Sequence, residues 1–226
     1  MSEVLPESED TEERDESRQG GGLAMKAPVV IGIAGSMRSG KTTLANMIAQ
    51  TYDLPVVSFA ESLRYEVAQA YFPKQGKAEA RFMWSLLEEK DKTLTRPLLQ
   101  AWGQAKRDLR DPDYWCERMF EYMEKKGIEV AVCDDVRHVN EAEWILANGG
   151  FIIRLVADDD TLLERGASET AMLHASENLA PLDEYLAENN HPCVRIETRG
   201  RTEYGTFVAA NPAIRRLLDE MEDEEE

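Results

Sequence analysis

Gly35-Ser36-Met37-Arg38-Ser39-Gly40-Lys41-Thr42 follows the apolar run Pro28-Val29-Val30-Ile31-Gly32-Ile33-Ala34 and precedes the amphipathic stretch Leu44-Ala45-Asn46-Met47-Ile48-Ala49-Gln50. This is G-x-x-x-x-G-K-[ST] between a strand and a helix, the context that makes a short motif a phosphate-binding loop. The two glycines let the backbone curl, so that successive N–H groups converge on an anion, and the helix N-terminus adds partial positive charge. Gly35, Ser36, Met37, Arg38, Ser39, Gly40, Lys41, Thr42 and Thr43 are therefore expected to hold a nucleoside triphosphate. Lys41 reaches its β- and γ-phosphates, and the Thr42 hydroxyl takes a place on Mg²⁺.

Around this loop the charge is unevenly spread. The 226 residues carry a formal net charge of −18. Residues 1–18 hold eight acids and two arginines, and residues 219–226 hold seven acids and no base. About −5 remains for everything between. Both ends read as solvated acidic tails, 1–24 and 219–226, that bury too little apolar surface to fold, and residues 25–218 read as one domain. Gly20-Gly21-Gly22 is a flexible joint ahead of that domain. No run is long enough to span a bilayer and none reads as a signal peptide, so no membrane partner and a cytoplasmic location are expected. Cys116, Cys133 and Cys193 fit neither a disulfide frame nor a metal-ligand spacing. The acidic balance also argues against a polymeric nucleic acid as partner.

Apolar runs recur at 28–34, 55–59, 128–133, 151–156 and 193–196, several of them apolar throughout, as strands covered on both faces are. Helical patterns fall at 41–52, 60–72, 78–90, 96–109, 113–126, 138–148, 159–166 and 206–219. The alternation predicts an α/β fold, a doubly wound parallel five-stranded sheet of the P-loop NTPase type with helical insertions and a small lid. Ligands of such sheets sit beyond the carboxyl ends of the strands. The block 60–127 exceeds what a crossover requires and is where an acceptor site would be built.

The third strand runs into Asp134-Asp135-Val136-Arg137-His138-Val139-Asn140-Glu141. A carboxylate at the end of a strand beside the P-loop strand orients Mg²⁺ opposite Thr42. Asp134 is paired with Thr42 as the metal set, with the choice between Asp134 and Asp135 left open. A strand-end carboxylate that caps the next helix is the alternative. Arg38, Arg64, Arg96 and Arg137 lie in or beside loops at one end of the sheet, where guanidinium groups would clamp two phosphorylated ligands. No Asn-Lys-x-Asp guanine-reading motif occurs, and the length leaves no transmitting domain for a motor. A small-molecule kinase is the economical reading. Its rivals are a P-loop kinase acting on a modified base in DNA and a non-catalytic ATP-binding regulatory module.

Several segments taken in order resemble the bacteriophage deoxynucleoside monophosphate kinases. They are the P-loop with Arg38 inside it, Phe59-Ala60-Glu61-Ser62-Leu63-Arg64, Arg96-Pro97-Leu98-Leu99-Gln100-Ala101-Trp102-Gly103-Gln104, Asp111-Pro112-Asp113-Tyr114-Trp115, Asp134 to Glu141, and His174-Ala175-Ser176-Glu177. The resemblance spans about 28–196. It implies transfer of the γ-phosphoryl of ATP, with Mg²⁺, to a deoxynucleoside 5′-monophosphate, giving the diphosphate. By the same resemblance Leu63, Arg64, Arg96, Gly103, Gln104, Trp115, Asp135, Arg137, Glu141 and Ser176 line the acceptor site. Lys41, Arg38, Arg137 and Asp135 carry the transfer, and Arg165 joins the ATP site. The family places a mobile lid at 157–173, here within about 157–180; Arg165 is its only basic residue and, with Arg154 just before it, is the lid candidate. The chain departs from the family at Glu61-Ser62-Leu63-Arg64, where Asp-Pro and a lysine are more frequent, and at Gln104, where threonine is. The partner implied is a small-molecule nucleoside monophosphate, with monomer or homodimer left open. A monophosphate oxygen is already anionic, so His138 and His174 are expected to be structural or to touch ligand rather than move protons.

Overall fold

A computed structural model describes residues 27–167, 178–188 and 191–223. Val29–Gly35 forms β1, and all seven residues are buried. A strand apolar on both sides needs cover on both faces, which puts it at the middle of a sheet. The strands are β1, β2 (Val56–Val57), β3 (Val130–Val136), β4 (Phe151–Val156) and β5 (Cys193–Glu197), in the order β2-β3-β1-β4-β5. Every pairing is parallel.

Between them run α1 (Lys41–Tyr52), α2 (Phe59–Tyr71), α3 (Lys77–Lys90), α4 (Lys92–Leu109), α5 (Tyr114–Lys126), α6 (Val139–Ala147), α7 (Asp159–Glu164), α8 (Ala180–Glu188) and α9 (Glu203–Asp223). Alternate residues of β1 divide between two cores. Val30 and Ala34 pack with Phe120 and Met123 of α5, Ile145 of α6 and Leu182 of α8. Val29, Ile31 and Ile33 pack with Leu44 and Ile48 of α1 and with Phe207 and Ile214 of α9. The long insertion builds a third cluster, in which Val67, Ala68, Ala80 and Trp84 join α2 to α3. Burying each large side chain of this kind contributes roughly 1.5–3 kcal/mol.

The doubly wound parallel five-stranded sheet is as expected. Its details differ in places that have physical causes. β2 is shorter than 55–59, because residues 58–60 turn early into α2 around the Asp135 carboxylate. α4 starts at Lys92 rather than 96, since Asp91 accepts from the Thr93 and Leu94 amides and so begins the helix well before Pro97. The last helix continues through Asp223, past the expected start of the acidic tail at 219. Met221 packs against the core there, and Arg216 faces Glu220 at 3.7 Å one turn on. Among the described residues no helix is long and apolar enough to cross a membrane.

α8 was not foreseen, and it corrects the placement of Arg154 in a lid. Arg154 lies on β4, 7% exposed, and its Nε and Nη2 donate to the two Asp183 oxygens at 2.8 and 2.9 Å. The pair pins α8 to the sheet. Asp183→Ala would leave a buried guanidinium without its bidentate partner, at a cost of about 2 kcal/mol. A clearly lowered urea midpoint with an unchanged folded circular-dichroism spectrum is the expected result.

Candidate functional site

The phosphate-binding loop begins where β1 ends. A Cβ on Gly35 would lie 2.4 Å from Ser39 Oγ and 3.0 Å from the Leu155 carbonyl oxygen, so only glycine fits. Arg38 (φ 65°) and Gly40 (φ 102°) both take the left-handed conformation, which turns the chain into a concave nest of amides. The N-terminus of α1 has no side-chain cap and no acid in its first turn. Its amides and positive end therefore remain open to an anion. Ser39 is 1% exposed, and its Oγ is a buried hydroxyl with no hydrogen-bond partner among the described residues. Lys41 folds over the loop, with Nζ donating to the Gly35 and Ser36 carbonyls at 2.7 and 2.9 Å. A triphosphate fits this cradle by shape and by charge.

The carboxylates at the end of β3 have separate tasks. Between Gly32↔Cys133 and Ala34↔Val136, β3 carries one more residue than β1. The two acids part across this irregularity. Thr42 Oγ1 donates to Asp134 Oδ2 at 2.7 Å. This hydroxyl–carboxylate pair is a fit for Mg²⁺, which keeps a largely oxygen shell completed by waters and phosphates. Among the described residues no cluster of three or more His, Cys, Asp or Glu side chains could hold a metal by itself. Asp135 serves α2 instead. Its Oδ2 accepts from Ser58 Oγ (2.7 Å) and the Ala60 amide (2.9 Å), and its Oδ1 from the Phe59 amide and Cys133 Sγ, both at 3.1 Å. Both oxygens hold the start of α2. Ser58 went unremarked in the sequence, although a serine just ahead of an apolar helix is a capping signal.

A cleft of about 840 Å³ opens beside the loop, lined by Arg38, Lys41, Thr42, Arg165, Thr198 and Tyr204 among others. Arg165 reaches the loop as a strut. Its Nη1 donates to the Ser39 carbonyl at 3.3 Å and to Thr198 Oγ1 at 3.2 Å, and its Nη2 to the Thr198 carbonyl at 2.9 Å. Met37 and Thr43 lie in the same loop and first turn, half-buried. Ser176 and His174, with residues 168–177 of the expected lid, fall outside the described residues.

On the insertion side, contacts run from α2 through α4 to α6. Leu63 sits 3.3 Å from where a Gly103 Cβ would be, so a glycine lets α2 and α4 approach. Arg107 passes the same point at 3.6 Å and its Nη2 lies 3.4 Å from Glu141 Oε1. Glu141, 3% exposed, also accepts from the Arg137 and His138 amides at 2.8 and 3.0 Å, capping α6. The sequence did not single out Arg107, because its value lies in the buried acid it faces. Trp115 is 2% exposed, and its indole N–H donates to the Gly103 carbonyl at 3.1 Å, which packs α5 on α4. Gln104 is exposed and bonds Asp108, Arg64 bonds Glu88, and Arg96 is exposed on α4. Arg137 borders a second cleft of about 500 Å³ with His138, Asn140, Asn178 and Leu182.

No protein-family model matches the sequence, and no curated protein matches it. Solved structures resemble it in fold. TT1252 from Thermus thermophilus is 18% identical with a TM-score of 0.51, over 84% of this chain and 98% of that one. A gluconokinase from Sinorhizobium meliloti 1021 is 15% identical with a TM-score of 0.45, over 89% of this chain and 99% of that one. A dephospho-CoA kinase from Campylobacter jejuni is 13% identical with a TM-score of 0.40, over 83% and 96%. The first of these shares the fold.

Burial, then the nearby Asp135 charge, pushes the Glu141 carboxyl from its ordinary 4.5 up to about 7, against the pull of the two amides and Arg107. Folded protein then holds a proton that unfolded chain releases between those values. The stability this supplies is complete below about pH 4.5 and is lost as pH rises through about 7. His138 runs the other way, held down to about 4 by burial and by Arg107 and Arg137, so its contribution is present above 6.5 and lost on acidification. Glu141→Gln keeps an oxygen acceptor for the two amides and removes the Glu141 titration. Between about pH 5 and pH 8 the wild-type melting temperature is expected to fall relative to that of the variant. Parallel pH profiles would contradict the assignment.

Proposed function

We propose that this protein transfers the γ-phosphoryl of ATP to a deoxynucleoside 5′-monophosphate, giving the diphosphate. The observation that supports phosphoryl transfer most strongly is the uncapped nest Gly35–Thr42, closed by Lys41 and facing the Thr42–Asp134 pair. The acceptor class rests on the ordered segments from Phe59 to Glu141 and on an insertion too long for a simple crossover.

In this reading Arg38, Lys41 and the loop amides hold the triphosphate, with Arg165 bracing the loop from behind. Thr42 and Asp134 would hold Mg²⁺, which when bound offsets phosphate charge. Arg64, Arg96 and Arg137 meet the acceptor phosphate. Leu63, Gly103, Asp135, Trp115 and Glu141 set where those arginines stand. An anionic oxygen of the monophosphate attacks the γ-phosphorus, the bond to the β-bridging oxygen breaks, and ADP leaves with that electron pair. No proton moves, so positioning and charge neutralisation carry the rate. The catalytic domain takes in the last helix through Asp223, and the acidic ends beyond it stand outside the chemistry.

ATP turnover with Mg²⁺ against each deoxynucleoside monophosphate, each ribonucleotide counterpart and a DNA oligomer tests the reading. Diphosphate from one or more deoxynucleotides is expected. Label on the oligomer, or ADP release with no phosphorylated product, would replace it by a polymer kinase or an ATPase switch. Lys41→Ala is expected to lower turnover about a hundredfold or more with the fold retained. Full activity in that variant would remove the P-loop from the mechanism.

A further inference from the structure

Arg64 is held by one edge. Its Nε donates to Glu88 Oε1 at 3.2 Å, and among the described residues its guanidinium has no other partner. Glu88 lies in the last turn of α3 and is itself flanked. Arg81 Nη1 stands 3.9 Å from Glu88 Oε2, while Arg81 Nε and Nη2 donate to the two Glu61 oxygens at 2.9 and 3.0 Å. Glu61, Arg81, Glu88 and Arg64 thus alternate in sign across the α2–α3 contact, which is also sealed by Val67, Ala80 and Trp84.

The chemistry of this tether is specific. A guanidinium bound through Nε gives up one donor and keeps both Nη groups, whose fork matches two oxygens of a phosphate. A free arginine must lose its rotamer freedom on binding, whereas a tethered one has lost it already. The Arg64 side chain keeps 33% of its surface accessible, so the tether leaves it reachable. The charge of Arg81, with Nη1 3.9 Å from the second oxygen of Glu88, draws that oxygen away from Arg64 without hydrogen-bonding it, which favours contact through a single edge over occupation of the fork.

We propose that Glu88 is a positioning residue for the acceptor, fixing Arg64 by its Nε edge so that the two Nη groups clamp the phosphate of a nucleoside monophosphate. The inference rests on the reading of Arg64 as an acceptor contact. It goes beyond that reading by assigning a role to Glu88, on a different helix, and by giving that role a sign. A carboxylate that merely sequestered Arg64 would compete with the substrate, and its removal would tighten binding.

Steady-state kinetics on full-length Glu88→Ala, Glu88→Gln and Arg64→Ala separate these cases, with the melting temperature of each recorded. Glu88→Ala is expected to raise KM for the preferred monophosphate about tenfold while leaving KM for ATP unchanged. Glu88→Gln, which keeps an oxygen acceptor for Nε, is expected to recover most of that loss. A Glu88→Ala KM within twofold of wild type, or below it, while Arg64→Ala raises KM, would overturn the positioning role and leave Arg64 as an acceptor contact. An unchanged KM in Arg64→Ala would overturn the reading of Arg64 and this inference with it. Wild-type protein that turns over no monophosphate would overturn the proposed function itself. Should Glu88→Ala fail to fold, Glu88→Gln and Glu88→Asp carry the same comparison.

Discussion

The adjacent carboxylates Asp134 and Asp135 join the two halves of the site. One takes the Thr42 hydroxyl at the start of α1, and the other holds Ser58 and two amides at the start of α2. The Gly35–Thr42 loop and the insertion are thereby referred to one strand end, separated by a single peptide. A carboxylate accepting from several N–H groups at a helix terminus gains both hydrogen bonds and a favourable dipole. β3 is paired on both sides and cannot shift without breaking the sheet, so the bearing it provides is rigid.

Beyond that joint, basic groups are placed by partners rather than left as a bare cluster. Arg154 is spent on Asp183, Arg165 on carbonyls of the loop and Thr198, Arg107 on Glu141, and Arg64 on Glu88 by a single edge. Arg38 and Arg96 stay exposed. A guanidinium with both Nη groups bound is a strut, and one bound only through Nε can still receive an oxyanion. That distinction separates Arg154 and Arg165 from Arg64, although all three look alike in the sequence. It also explains how a chain of net charge −18 can present positive charge where phosphates would meet.

Glu141 shows the cost of building such a site near the core. Its carboxyl is buried at the start of α6, and two amides with the Arg107 guanidinium only partly offset the loss of water. The result is an acid poised close to neutrality, beside a histidine held neutral by the same burial and the same arginines. Such perturbation marks functional surroundings as often as structural ones. Here both groups serve the β3–α6 corner from which Arg137 projects.

The octad Gly35–Thr42 and the apolar runs around it were enough to determine the parallel sheet and the anion-binding form of the loop, while the choice of Asp134 over Asp135 as the partner of Thr42 waited for the structure. These depend on local conformation and on a spacing that admits few alternatives, such as the glycines at Gly35 and Gly40. Tertiary structure alone decided the rest. Trp115 and Asp135 look equally fit for ligand or for core, and only the approach of α4 to α5 and of α2 to β3 commits them to packing and capping. Arg154 became an anchor because α8, weakly signalled in its own residues, brings Asp183 to it. Arg107 and Glu88 gained meaning from acids and bases tens of residues away. Periodicity and motif spacing record what a residue can do within its own segment, whereas burial and pairing depend on which segments meet.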